Sequence, residues 1–191
     1  MKLFDLIDTE EVIEILDIGA SAINETPVYR TLMDRGVGRL NAFEGDARQI
    51  EKLQDTYAER ARIFQEFLYD GTEQQVYFCK PESGMTSLLE PDPVALGFFS
   101  WFSKFGAVEK VETVQTQRMD DVAGLPDIDF AKMDIQGAEL TVLQNGTERL
   151  AGCWPFNWKC RLSRSTRTSR VLARWTCGCA RKGICRIVFW M

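Results

Sequence analysis

The run Asp129-Phe-Ala-Lys-Met-Asp-Ile-Gln-Gly-Ala-Glu-Leu-Thr-Val-Leu-Gln-Asn-Gly146 decides the fold, because it reads as a buried strand, a polar turn and a capped helix in succession. Ile128, Phe130, Ala131, Met133 and Ile135 form a nearly continuous apolar segment, the pattern of a parallel strand covered on both faces. Asp134 falls at its end. Gly137 lets the backbone turn. Ala138, Leu140, Val142 and Leu143 then give an apolar helical face that stops at Asn145-Gly146, a C-cap pair. Ligands of open α/β sheets bind outside the carboxyl ends of the strands. Asp134, with Gln136 and Glu139 beside it, is therefore a candidate for chemistry. The alternative is an ordinary strand-to-helix turn carrying a solvated acid.

The chain before this run alternates strand and helix. Val12-Ile-Glu-Ile-Leu-Asp-Ile-Gly-Ala20 reads as a first strand entering a small-residue turn. A helix follows, with Thr26 or Asn24 as its cap, Pro27 in its first turn and Gly36-Val-Gly38 as its stop. Arg39 to Glu44 is a second strand, and Ile50, Leu53 and Tyr57 set a helical spacing from Asp46 onward. Arg62 to Tyr69 and Gln75 to Cys79 favour strands on either side of Asp70-Gly71. Leu96 to Phe105 is an aromatic-rich short helix or lid, and Val111 to Gln117 alternates as another strand. The pattern is a doubly wound α/β sheet with a hairpin insertion ahead of the strand that ends at Asp134.

The 191 residues, 45% of them hydrophobic, suffice for one α/β domain with a sizeable core. A formal net charge of -5 argues against nucleic acid or an anionic membrane as the main partner. The acidic residues at the N-terminus do not suit a signal peptide, and no segment approaches a membrane span. A cytoplasmic protein is expected, in which disulfides are improbable. The chain contains no histidine.

Leu16-Asp-Ile-Gly-Ala-Ser21 puts an acid and then a glycine at the tip of the first strand, where a cofactor can approach the backbone. It lacks the three-glycine dinucleotide fingerprint. The next strand ends in Phe43-Glu44, at the spacing where an acid receives two ribose hydroxyls; the bland reading of Glu44 is a solvated strand end.

Together Leu16 to Ala20, Ala42-Phe-Glu44, the loop Gly84-Met-Thr-Ser-Leu-Leu89, Arg118-Met-Asp-Asp121 and Asp129 to Glu139 resemble the FkbM-type family of S-adenosylmethionine-dependent methyltransferases, over about residues 11 to 152. The resemblance implies a Rossmann-like sheet with helices on both faces and methyl transfer to a hydroxyl of a sugar or secondary metabolite. It implies S-adenosylmethionine over Asp17, Gly19 and Ala20, with Glu44 on the ribose and Ser87, beside Thr86, in a loop near cofactor or acceptor. Asp134 would face the reacting end. Such a reaction needs alignment and a nearby base, and without histidine the base is a carboxylate, Asp134 first and Glu139 second. Lys132 is expected to pair with a carboxylate or pack its stem, since an ordinary ammonium is protonated at neutral pH. Where the family often has a second glycine after Gly19, this chain has Ser21-Ala-Ile-Asn24, which allows a non-catalytic remnant or a nucleoside-binding protein as the alternative.

Residues 1–152 thus read as the methyltransferase domain and 153–191 as an aberrant, poorly packed basic tail that leaves the sheet incomplete on its C-terminal side. No acid follows Glu148, whereas nine Lys and Arg residues lie between Lys159 and Arg186. Pro155 argues against a central strand, and Arg161 to Arg170 has no apolar period. Cys160, Cys177, Cys179 and Cys185 offer a zinc site of poor spacing, and the arginines a nucleic-acid surface; no metal is expected. Loss of the family strand would bare the edge beside Asp134. Read from the third base of each codon, Cys153 to Cys160 permits Leu-Ala-Ile-Gln-Leu-Glu-Val, which looks like the missing strand, and a frameshift near Cys153 accounts for the tail. Nucleotide sequencing around codon 153 tests this: a stop, or no such continuation, in the alternative frame rules it out.

Overall fold

A computed structural model describes residues 12–21, 26–97, 102–153 and 156–158. In chain order its elements are β1 (Ile13–Ile18), α1 (Arg30–Asp34), β2 (Gly38–Phe43), α2 (Ala47–Tyr57), β3 (Ala61–Phe64), β4 (Glu73–Phe78), α3 (Pro93–Gly97), α4 (Phe102–Phe105), β5 (Lys110–Gln115), β6 (Phe130–Met133), α5 (Glu139–Gln144) and β7 (Phe156–Trp158). Five strands form one sheet in the order β3-β2-β1-β6-β7, with every neighbouring pair parallel. The chain winds outward from β1 to β3 and then returns to lay β6 on the other side of β1. That reversal creates a crevice at the carboxyl ends of β1 and β6, the general ligand position of doubly wound sheets.

Both faces of the sheet are covered, which explains the apolar strands. Ile15, Leu40 and Ala42 pack under Tyr29, Leu32 and Met33 from α1 and its approach and under Leu53 and Tyr57 of α2. On the opposite face Leu16, Ile18, Phe43, Ala131 and Met133 meet Val142 and Leu143 of α5, with Met119, Val122 and Ile128. The expected Rossmann-like α/β architecture with helices on both faces is present.

Several local expectations are corrected. The first helix begins only at Arg30, with Tyr29 at its N-cap; Thr26 and Pro27 precede it, and Asn24 lies outside the described residues. The segments flanking Asp70-Gly71 do not pair with one another. Their shared β-propensity carried no information on partners, and Ala61–Phe64 joins β2 in the main sheet, while β4 pairs antiparallel with β5. The insertion is thus a two-stranded sheet closed over a long connection.

The strand ending at Asp134 also keeps a neighbour. Ala131, Lys132 and Met133 pair with Phe156, Asn157 and Trp158. The paired segment begins at Phe156, and Pro155 lies outside the described residues. Residues 159–191 lie outside the described residues, and with them the four cysteines invoked for zinc and the arginines invoked for nucleic acid.

The tips of β1 and β6 are locked together at Gly19. Its φ is +74°, and a Cβ there would lie 2.4 Å from the Asp134 carbonyl oxygen. Gly36 has the same φ with nothing within 4 Å of a built Cβ. Gly19→Ala should therefore lower the unfolding free energy by about 3 kcal/mol and Gly36→Ala by about 1 kcal/mol, measured by urea denaturation; equal losses would mean that the contact with Asp134 adds nothing.

Candidate active site

A cavity of about 480 Å³ opens over the ends of β2, β1 and β6, within the range of small-molecule sites. Asp17, Gly19, Ala20, Glu44, Ser87 and Asp134 all line it. Glu139 does not belong to that wall; its Oε1 accepts from the backbone N–H of Gly137 at 3.1 Å and of Ile135 at 3.4 Å. Its carboxylate is occupied in holding the turn that carries Gln136.

The loop after β1 is latched to β2, since the N–H groups of Gly19 and Ala20 both donate to the Phe43 carbonyl, at 3.0 and 3.3 Å. Glu44 follows directly and is buried. The backbone N–H groups of Asp46 and Ser21 donate to its carboxylate. Burial dominates and pushes its pKa up to about 7, with the Asp46 and Asp17 carboxylates adding to the rise. A carboxyl that titrates near neutrality accepts from a sugar diol as a carboxylate above that pH and loses charge below it.

Asp17 sits deeper, on the face covered by α1 and α2. Its Oδ2 accepts from the Tyr29 hydroxyl at 2.7 Å and its Oδ1 from Lys132 Nζ at 2.9 Å. The register pairs residues 17 and 132 directly across β1 and β6, so the ion pair spans the two central strands. Burial pushes the Asp17 carboxyl up, opposed by the Lys132 ammonium and the Tyr29 hydroxyl. Burial and then Asp17 push the Tyr29 hydroxyl far above its ordinary range, so it stays a proton donor. Lys132 thus pairs with a carboxylate, as its chemistry suggested.

The insertion supplies the far wall. Arg48 bonds the N-cap Asp46 at 2.7 Å, donates to the Cys79 carbonyl at 2.9 Å and lies over the Phe78 ring, while Gln49 donates to the Pro81 carbonyl at 2.8 Å. These contacts fix residues 78–81, which lead into the Gly84–Leu89 loop, against α2. In that loop Ser87 Oγ accepts from the Leu89 N–H at 3.0 Å and so closes a turn.

Among the lining groups, Tyr29 and Tyr57 were not legible as site residues in the sequence, and Gln136 was legible only as a neighbour of Asp134. Tyr29 and Tyr57 meet hydroxyl to hydroxyl at 3.4 Å, from helical segments whose spacing marks them only as core. Gln136 has φ of +63°, rare for a residue with a side chain, and its Oε1 is buried without a hydrogen-bond partner. The one available signal was the polar residue between Asp134 and Gly137, where a strained turn often marks function.

Glu44 also sets a pH dependence of stability. Its folded pKa lies above the ordinary 4.5, so its favourable contribution is complete below that value and is lost as pH rises through about 7. Glu44→Gln should gain stability over the parent between pH 5 and pH 8 in urea titrations; a difference that stays flat with pH would contradict the assignment.

Among the described residues no group of three His, Cys, Asp or Glu side chains could hold a metal ion, and no helix is long and apolar enough to cross a membrane. The Methyltransferase FkbM domain model matches residues 17–160. Among characterised proteins, the 2-O-methyltransferase NoeI of Sinorhizobium fredii (strain NBRC 101917 / NGR234) is 28% identical over 147 residues, covering 71% of this chain. The match spans 58% of that relative's length. No solved structure matches the chain. A parallel sheet with its cavity at the switch point, and a family match running from Asp17 through β6 to β7, converge on one assignment: the chain belongs to the FkbM methyltransferase family.

Proposed function

We propose that this chain is an S-adenosylmethionine-dependent O-methyltransferase whose acceptor is a hydroxyl of a sugar or secondary metabolite, either a small molecule or a glycan. The observation that carries the reading is the convergence of Glu44, Gly19 and Asp134 on a single cavity from three adjacent strand tips. The relative named as a 2-O-methyltransferase supports oxygen as the acceptor atom.

The residues present fit such a donor. Gly19 and Ala20 expose backbone at the β1 tip, the buried Glu44 carboxylate suits two ribose hydroxyls, and Gln136 offers a buried oxygen that lacks a donor. When bound, S-adenosylmethionine supplies an electrophilic methyl on a sulfonium sulfur. Asp17 and Lys132 form the polar floor. Ser87 and its turn shape the wall toward the acceptor. Asp134, half-buried at the β6 tip, takes up the proton released by the acceptor hydroxyl; its Oδ1 lies 3.4 Å from Gln136 Nε2 at the cavity edge. Glu139, spent on its own turn, is the weaker choice of base.

S-adenosylhomocysteine should bind about tenfold more weakly at pH 6 than at pH 8, because Glu44 loses its charge through about 7. Calorimetry at the two pH values reads this, and Glu44→Gln should bind weakly with little pH dependence. Asp134→Asn should lower labelled methyl transfer to a hydroxyl acceptor by about 10²–10⁴-fold with a much smaller effect on donor affinity. Donor binding without transfer across a panel of sugars and hydroxylated metabolites would instead identify a nucleoside-binding protein.

A further inference from the structure

Two side chains of the β6 wall carry hydrogen-bonding capacity that the fold does not use. Lys132 lines the cavity at 22% side-chain exposure. An ammonium has three N–H donors, and Asp17 Oδ1 takes one of them at 2.9 Å, which leaves two among the described residues. The other cationic side chain in the lining is Arg30, which is exposed and bonded to Asp34 at 2.7 Å. Lys132 is therefore the cation available to a bound anion, in a wall otherwise supplied with the carboxylates of Asp17, Glu44, Asp46, Glu66 and Asp134.

Four residues along the chain, Gln136 presents the opposite vacancy. It is 7% exposed, and its Oε1 has no donor. A buried carbonyl in that state carries an uncompensated desolvation cost, and the left-handed backbone at φ +63° adds strain. The amide is only loosely tethered, since its Nε2 reaches the Gly84 carbonyl at 3.5 Å and Asp134 Oδ1 at 3.4 Å, both at the long end of hydrogen bonding. A small rotation of the amide can turn Oε1 toward an incoming donor. The adjacent Asp134 carboxylate makes a positively charged donor the better match.

One wall thus offers a free pair of ammonium donors and, beyond it, an orphaned carbonyl in a negative corner. The complement is a group bearing a carboxylate and an ammonium on neighbouring atoms. Resting on the methyl-donor reading, we propose that Lys132 and Gln136 together clamp the α-amino acid end of the donor, Lys132 binding its carboxylate and Gln136 Oε1 accepting from its ammonium. The nucleoside end then lies toward Glu44, two strands away, and the clamp fixes how far along the cavity the sulfur sits.

The test is calorimetry of the full chain with S-adenosylhomocysteine, its decarboxylated analogue and its deaminated analogue. The parent should bind each analogue about 10–100-fold more weakly than the intact ligand. Lys132→Met should weaken S-adenosylhomocysteine by a similar factor and leave the decarboxylated analogue unchanged; Gln136→Met should weaken it and leave the deaminated analogue unchanged. Such cycles separate a direct contact from general damage to the pocket, which weakens every ligand alike. Lys132→Arg and Gln136→Glu, which keep the charge and the acceptor oxygen, should bind the intact ligand nearly as well as the parent. Equal binding of all three ligands by the parent overturns the clamp while leaving the donor reading intact. So does either Met variant that weakens the intact ligand and its matched analogue equally, or weakens neither. If a Met variant is insoluble, the parent's ligand series and the Arg and Glu variants decide. Failure of the parent to bind any of the three removes the donor reading itself.

Discussion

The contact between the Gly19 backbone and the Asp134 carbonyl sets the geometry of everything above the sheet. A Cβ at Gly19 would fall 2.4 Å from that oxygen, so the first loop can seat against the β6 tip only where a side chain is missing and φ is positive. The same loop donates two N–H groups to Phe43, and the Asp134 N–H donates to the Ile18 carbonyl. Three strand tips are thereby drawn into one rim. Glu44, Gly19 and Asp134 face a common space because their backbones are tied together, whatever their own side chains prefer.

Below that rim the electrostatics are arranged in depth. Asp17 is nearly sealed from solvent, and Lys132 and Tyr29 compensate it from β6 and from the approach to α1. Removing either donor would leave a buried charge underpaired, which is more damaging than the pair is stabilising. Nearer the opening Glu44 accepts from backbone N–H groups, and burial outweighs those bonds and pushes its pKa up to about 7. At the floor, burial pushes the Asp17 carboxyl up against the opposing Lys132 and Tyr29, and at the rim Glu44 gains or loses its charge through about 7. The two carboxyls thus differ in depth and in partners.

Much of this was legible along the chain because parallel strands buried on both faces must be apolar and must end in polar turns. Ile13 to Gly19, Leu40 to Glu44 and Phe130 to Asp134 follow that rule, and Gly19, Glu44 and Asp134 at their ends each mark a place on the rim. The errors have equally definite causes. The strands near residues 62 and 75 have similar composition, and composition carries no information about which backbone each will pair with; one entered the main sheet and the other joined β5. Pro155 weighed against a strand, yet Phe156–Trp158 pairs with β6. Glu139, named for its residue type and proximity, places its carboxylate on the N–H groups of its own turn, a position that depends on the local fold.

The sequence by itself determined the class of fold, the order of the central strands' signals and the carboxylates at their ends, because local periodicity and turn chemistry act over a few residues. Only the tertiary structure decided that Tyr29 caps the Asp17 carboxylate, that Lys132 shares it with donors to spare, and that Gln136 is held in a left-handed turn with an unsatisfied oxygen. Those facts depend on groups 12 to 115 residues apart meeting in a water-poor space. Hydrogen-bond satisfaction and charge compensation there are properties of the packed assembly, and no local pattern encodes them.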